Sequence, residues 1–103
     1  MRNFELVAIH PGEILREEYM IPLGLKAYTL AKRLRVPRTR IERLAAELTP
    51  VTPDTALRLG KFFGTTAQFW MNMQSSFDLV TEAKAKSKEL AAIKNYEQTQ
   101  QAA

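Results

Sequence analysis

Seven basic side chains fall between Lys26 and Arg43: Lys26, Lys32, Arg33, Arg35, Arg38, Arg40 and Arg43, with Glu42 the only acid among them. That window carries +6, whereas the whole 103-residue chain carries +4, so the remaining eight basic and ten acidic residues sum to −2. A solvated helix face usually mixes its signs, and this one does not. Positive charge confined to one short unit is an electrostatic footprint for a polyanion, nucleic acid above all. Arginine suits that task because its guanidinium can donate two hydrogen bonds at once to a guanine or a phosphate.

Little else in the chain could do chemistry. There is no cysteine, which excludes disulfides and thiolate metal sites. The single histidine, His10, cannot build a zinc site without carboxylate help. With Pro11, Gly12 and Glu13 behind it, His10 reads as a helix cap. Glu13, Glu17 and Glu18 could be imagined as metal ligands of a small nuclease or phosphotransferase. They fit better as first-turn acids and the polar face of a first helix. No Gly-rich phosphate loop and no carboxylate–histidine cluster is present. The sequence therefore reads as a protein that is not an enzyme and needs no cofactor and no metal. No apolar run reaches the ~18 residues of a membrane span. The start, MRNFELVAIHPGEI, lacks the basic-then-apolar layout of a signal peptide. A cytoplasmic, nucleoid-associated protein without a membrane partner is expected.

The elements that must position the basic residues are helices. Within residues 27–46, Leu30, Ala31 and Leu34 share one helical face, and Ile41, Leu44 and Ala45 share another. Pro37 disfavours the helical conformation at Val36, so the first helix should stop near Arg35 and a second should open after the turn. Ala31 is small enough for two crossing helices to meet, and Val36 plugs the corner. That apolar pattern is the one a DNA-binding helix-turn-helix requires. Around it, residues 1–9 read as an irregular or extended lead-in with Phe4, Leu6 and Ile9 available to pack. Helix 1 is expected over about 11–21, ended by Pro22 and Gly24. Helix 2 is expected over about 27–34 and helix 3 over about 38–48. Thr52-Pro53-Asp54 is a helix start for helix 4, about 53–63, with Ala56, Leu57, Gly60 and Phe63 inward and Gly64 closing it. Thr65-Thr66 caps helix 5, about 67–85, whose apolar stripe is Phe69, Trp70, Met73, Phe77 and Val80. From Glu82 the chain turns Lys-, Ala- and Gln-rich, and reads as either a partly exposed helix or disorder after about residue 95.

Four stretches, HPGEILREEYM (10–20), LAKRLRVPRTRI (30–41), TPDTALRLGKFFGTT (52–66) and QFWMNMQSSFDL (68–79), carry a family resemblance. The chain resembles the HigA-type antitoxins of bacterial toxin–antitoxin modules, a branch of the lambda-repressor-like (XRE) helix-turn-helix proteins. The resemblance implies an all-α, five-helix domain over residues 10–82, with the helix-turn-helix at 27–46 and a tail at 83–103. It further implies a homodimer that represses its own operon and neutralises a small RelE-like toxin that cleaves mRNA. Three positions depart from the family pattern. Arg35 stands where the corner is usually glycine. Ala46-Glu47-Leu48-Thr49 replaces an Asn-Gly-Lys-like turn, which predicts a helix 3 one turn longer. Lys26 replaces the usual Ser or Thr cap of helix 2, leaving a gap that phosphate could fill.

The start of the second helix of such a unit enters the major groove. Arg38, Thr39, Arg40 and Arg43 are therefore the base-reading candidates, with Thr39 able to meet either a thymine methyl or a phosphate. Lys26, Tyr28, Thr29 and Lys32 are better placed for phosphates, which position a protein without carrying sequence information. One such unit reads few base pairs, so a dimer on a palindromic double-stranded operator is expected. Trp70, Met71, Met73 and Phe77 are the candidates for its interface, with the core as the alternative for each. A stand-alone regulator of the same fold is the competing reading. Protein docking through the Lys-rich 84–94 segment could coexist with DNA binding, and a toxin could meet either the lead-in or the tail.

Overall fold

In the computed structural model, which describes residues 8–102, helices joined by short connections make up the chain and no strand occurs among the described residues. Phe4 and Leu6 of the expected lead-in lie outside the described residues, and Ile9 is exposed. His10 has an extended backbone, and its Nδ1 accepts from the Gly12 amide at 2.9 Å, so the cap forms with Pro11 as the first helical residue. Pro11–Ile14, Leu15–Met20 and Ile21–Leu23 then follow one another without a break and make α1. Its middle is a widened turn in which the Ile21 amide donates to the Arg16 carbonyl, five residues back. In a regular helix the Pro22 ring would crowd the carbonyl four residues back, and widening the helix just before it relieves that clash. The helix thus carries Pro22 instead of stopping there, and runs on to Gly24, which closes it at φ 65°.

α2 (Ala27–Leu34) and α3 (Arg38–Ala45) form the helix-turn-helix and pack on each other. α4 (Pro53–Phe63) lies along α5 (Ala67–Ala85), while α1 touches both α3 and α5. Local chemistry sets the starts of α4 and α5. Thr52 Oγ1 accepts from the Thr55 amide at 3.4 Å, and Thr66 Oγ1 from the Phe69 amide at 3.0 Å. Leu15, Leu30, Ile41, Leu44, Leu59 and Trp70 fill the centre of one core, with Ala31 at the α2–α3 crossing. Gly12 lies against the carboxyl end of α3 so closely that a Cβ there would overlap the Leu44 carbonyl oxygen.

Three expectations are corrected. α3 ends at Ala45, not near residue 48, because Glu47 takes a left-handed conformation at φ 64° and closes the helix as glycine would. The Glu47 amide then donates to the Leu44 carbonyl and the Leu48 amide to the Arg43 carbonyl, both at 2.9 Å. Leu57, expected inward on α4, is exposed, and Leu59 takes the core position instead. Phe69 is likewise exposed on α5, whereas Trp70 is fully buried with its indole N–H donating to Thr65 Oγ1 at 2.9 Å. The loop between α3 and α4 is pinned by α5: the buried Val51 amide donates to Gln74 Oε1 at 2.7 Å, and Gln74 Nε2 donates to Asp78 at 2.9 Å.

The tail is helical, as α6 (Ser87–Ala91) and α7 (Tyr96–Ala102), and every side chain from Glu82 to Gln100 is exposed. No helix among the described residues is long and apolar enough to cross a membrane.

Candidate nucleic-acid interface

The corner of the helix-turn-helix is built by backbone geometry at a residue other than glycine. Arg35 adopts φ 61° and ψ 47°, so its amide donates to the Lys32 carbonyl at 3.2 Å and that of Val36 to the Ala31 carbonyl at 3.0 Å. This double bond pattern reverses the chain and aims Pro37 at the start of α3. Lys26 stands at the cap position of α2 and makes no capping bond with its side chain, so the amides of that first turn face outward.

Ile41 and Leu44 bury the inner face of α3, which turns Thr39 and Arg43 outward. Both are exposed, and among the described residues neither side chain makes a hydrogen bond or an ion pair. Arg38 is exposed at the amino end and pairs with Glu42 at 3.2 Å, one turn on. Arg40 sits on the flank of α3 that faces α4, where its guanidinium pairs with Asp54. Arg58 Nε donates to both oxygens of the same carboxylate, at 3.1 and 3.0 Å, and Arg58 Nη1 donates to the Leu34 carbonyl at 2.9 Å. Arg40 first, and then Arg58, hold the Asp54 carboxyl below its ordinary value of 3.8. Glu47, four residues beyond Arg43, pairs instead with Arg16 at 3.2 Å.

Tyr28, Thr29 and Lys32 line one shallow groove with Arg33 and Arg35, on the flank next to the open start of α2. Thr39, Arg40 and Arg43 line a second groove, walled by Pro37, Thr49, Pro50 and Thr52. The four base-reading candidates thus gather on α3, and three of the four phosphate candidates share one groove along α2 and its corner. Sequence reasoning missed Asp54 and Arg58. Their spacing of four shows a helix-surface pair, but nothing along the chain indicates that Arg40 joins it. Of the four interface candidates on α5, Trp70 has no surface to offer a partner, while Met71, Met73 and Phe77 are partly buried. Among the described residues no three His, Asp or Glu side chains gather as a metal ion would need.

A five-helix bundle in which α2 and α3 meet at a tight corner and α3 turns cationic side chains outward is a helix-turn-helix protein. No family model matches the chain. It is 56% identical over 75 residues to the virulence-associated protein I of Dichelobacter nodosus, covering 73% of this chain and 69% of that relative. Its structure is similar to that of the Pseudomonas aeruginosa antitoxin HigA with higBA promoter, with 37% identity and a TM-score of 0.85, covering 87% of this chain and 99% of that one. It is also similar to an addiction module antidote protein of a HigA family from Coxiella burnetii, with 41% identity and a TM-score of 0.82, covering 86% and 98% of the two chains. The chain belongs to the HigA-type antitoxin family of XRE helix-turn-helix proteins.

Proposed function

We propose that this chain is a sequence-specific DNA-binding antitoxin, which binds as a homodimer to a palindromic operator, represses its own operon and neutralises a RelE-like mRNA-cleaving toxin. The observation that carries the DNA-binding part is the outer face of α3. Thr39 and Arg43 point away from the core with no partner among the described residues, and the start of α2 has no side-chain cap. A relative that shares this fold is described together with promoter DNA. In this reading Arg38, Thr39, Arg40 and Arg43 meet base edges, Arg40 from the flank of α3 that faces α4. Lys26, Tyr28, Thr29 and Lys32 meet phosphates. Met71, Met73 and Phe77, next to the exposed Phe69, supply the self-complementary patch of the dimer. Residues 10–82 form the functional unit and 83–103 an appended tail.

The test is fluorescence anisotropy with the DNA upstream of its own gene, against a random duplex, across a salt series. Operator binding should be tighter and should weaken with a log–log salt slope of roughly −0.9 per phosphate neutralised. The double variant Arg38→Ala, Arg43→Ala removes two contacts worth roughly 1–3 kcal/mol each, so operator affinity should fall at least about thirtyfold. Equal, weak binding of the unaltered protein to both duplexes would reduce the cationic face to a general electrostatic patch and sink this reading. Toxin neutralisation is tested separately, by co-expression with the small protein of the adjoining reading frame: rescue of growth is the expected result.

A further inference from the structure

Three arginines lie on α3, and the carboxylates treat them differently. Arg43 has none among the described residues, and Arg38 shares an exposed pair with Glu42 on its own helix. Arg40 alone is tied to another element. Its partner Asp54 is in the first turn of α4, and Asp54 is itself fixed by Arg58, which donates to both carboxylate oxygens. Arg58 is anchored in turn on the main chain at the end of α2, through the Leu34 carbonyl at 2.9 Å and the Arg35 carbonyl at 3.5 Å. The line Leu34–Arg58–Asp54–Arg40 therefore ties the end of α2, the start of α4 and the recognition helix together outside the apolar core.

Two electrostatic effects of Asp54 oppose each other. A carboxylate beside a DNA-facing helix repels phosphates, which weakens binding to any duplex. The same carboxylate holds a long, flexible side chain in one place, and a fixed arginine loses less freedom when it docks. Only the second effect depends on the fit to one sequence. We propose that Asp54 is a specificity-determining positioning residue: through Arg40 it fixes how α3 is presented to the operator, so that it weakens general DNA binding and strengthens operator binding. This rests on the operator-binding reading above.

The experiment compares Asp54→Asn with the unaltered protein on operator and random duplexes at one salt concentration. Asparagine keeps the shape but removes the charge that holds both guanidiniums at Oδ2, and it puts an NH2 donor in place of the second acceptor that Arg58 uses, so the hold on Arg40 weakens. The operator-to-random affinity ratio should fall about tenfold, with random-duplex binding unchanged or tighter. In an Arg40→Gln background the same substitution should leave the ratio unchanged, because the residue it acts through is gone. Equal tightening on both duplexes would make Asp54 a repulsive charge and nothing more, and overturn the proposal. An equal loss of ratio with and without Arg40 would overturn it too. Should Asp54→Asn fail to fold, Asp54→Ser, also a good first-turn residue, is read by the same outcomes. If the unaltered protein shows no operator preference, the operator-binding reading fails. If it shows one that Asp54→Asn leaves intact, only the role of Asp54 fails.

Discussion

Arg35 and Glu47 sit at the ends of α2 and α3 in the left-handed conformation that glycine adopts most easily, at φ 61° and 64°. A residue with a Cβ is disfavoured there by roughly 1 kcal/mol. The two differ in what offsets it. The Arg35 side chain makes no hydrogen bond or ion pair among the described residues, whereas Glu47 holds Arg16 at 3.2 Å in an exposed pair that water screens. Arg35→Gly should therefore raise the unfolding free energy by about 1 kcal/mol, and Glu47→Gly by less, in parallel urea titrations. No gain for Arg35→Gly would remove the strain from that corner. Arg35 was legible in the sequence because the Pro37 turn marks the corner. Glu47 was not: Ala46, Glu47 and Leu48 all favour helix, and the turn is imposed by contacts that their own types do not encode. Val51 is pinned to Gln74, 23 residues on, and Glu47 is drawn to Arg16, 31 residues back.

At the scale of elements, α1 meets α3 through a missing side chain. In an open helical position Gly→Ala stabilises by roughly 0.5–1 kcal/mol. At Gly12 the added methyl would overlap the Leu44 carbonyl, and the main chain would have to move. Gly12→Ala should destabilise by about 1–3 kcal/mol, so the sign of the change in a thermal melt decides the point. The helix starts were legible because caps are local: His10-Pro11, Thr52-Pro53 and Thr66 carry their signals within three residues. The facing of the helices was less so. Leu57 and Leu59 differ only in how α4 is rotated on the bundle, and Phe69 and Trp70 likewise on α5, and sequence spacing leaves that rotation free within a broad apolar stripe. The cationic face of α3 was visible in full. The Asp54–Arg58 tie to it was not, since it joins residues from three elements.

The described part of the chain measures 61 × 28 × 22 Å, with a radius of gyration of 18.0 Å. A compact chain of this length would have about 13 Å. The excess comes with α6 and α7, where every side chain up to Gln100 is exposed. Ending the chain after Lys86 should change stability by less than about 0.5 kcal/mol, read as an unchanged melting temperature. A fall of several degrees would mean that the tail braces the bundle. Within the bundle, the side chains that build the core and those proposed to meet DNA are different ones. Ile41 and Leu44 hold α3 in place, while Thr39 and Arg43 face outward and contribute nothing to the core. On the proposed operator reading, two copies of such a gene in one genome can therefore diverge in the operators they silence by changing those outward residues alone. Neither copy needs to relearn how to fold, and cross-repression between them can be lost in very few steps.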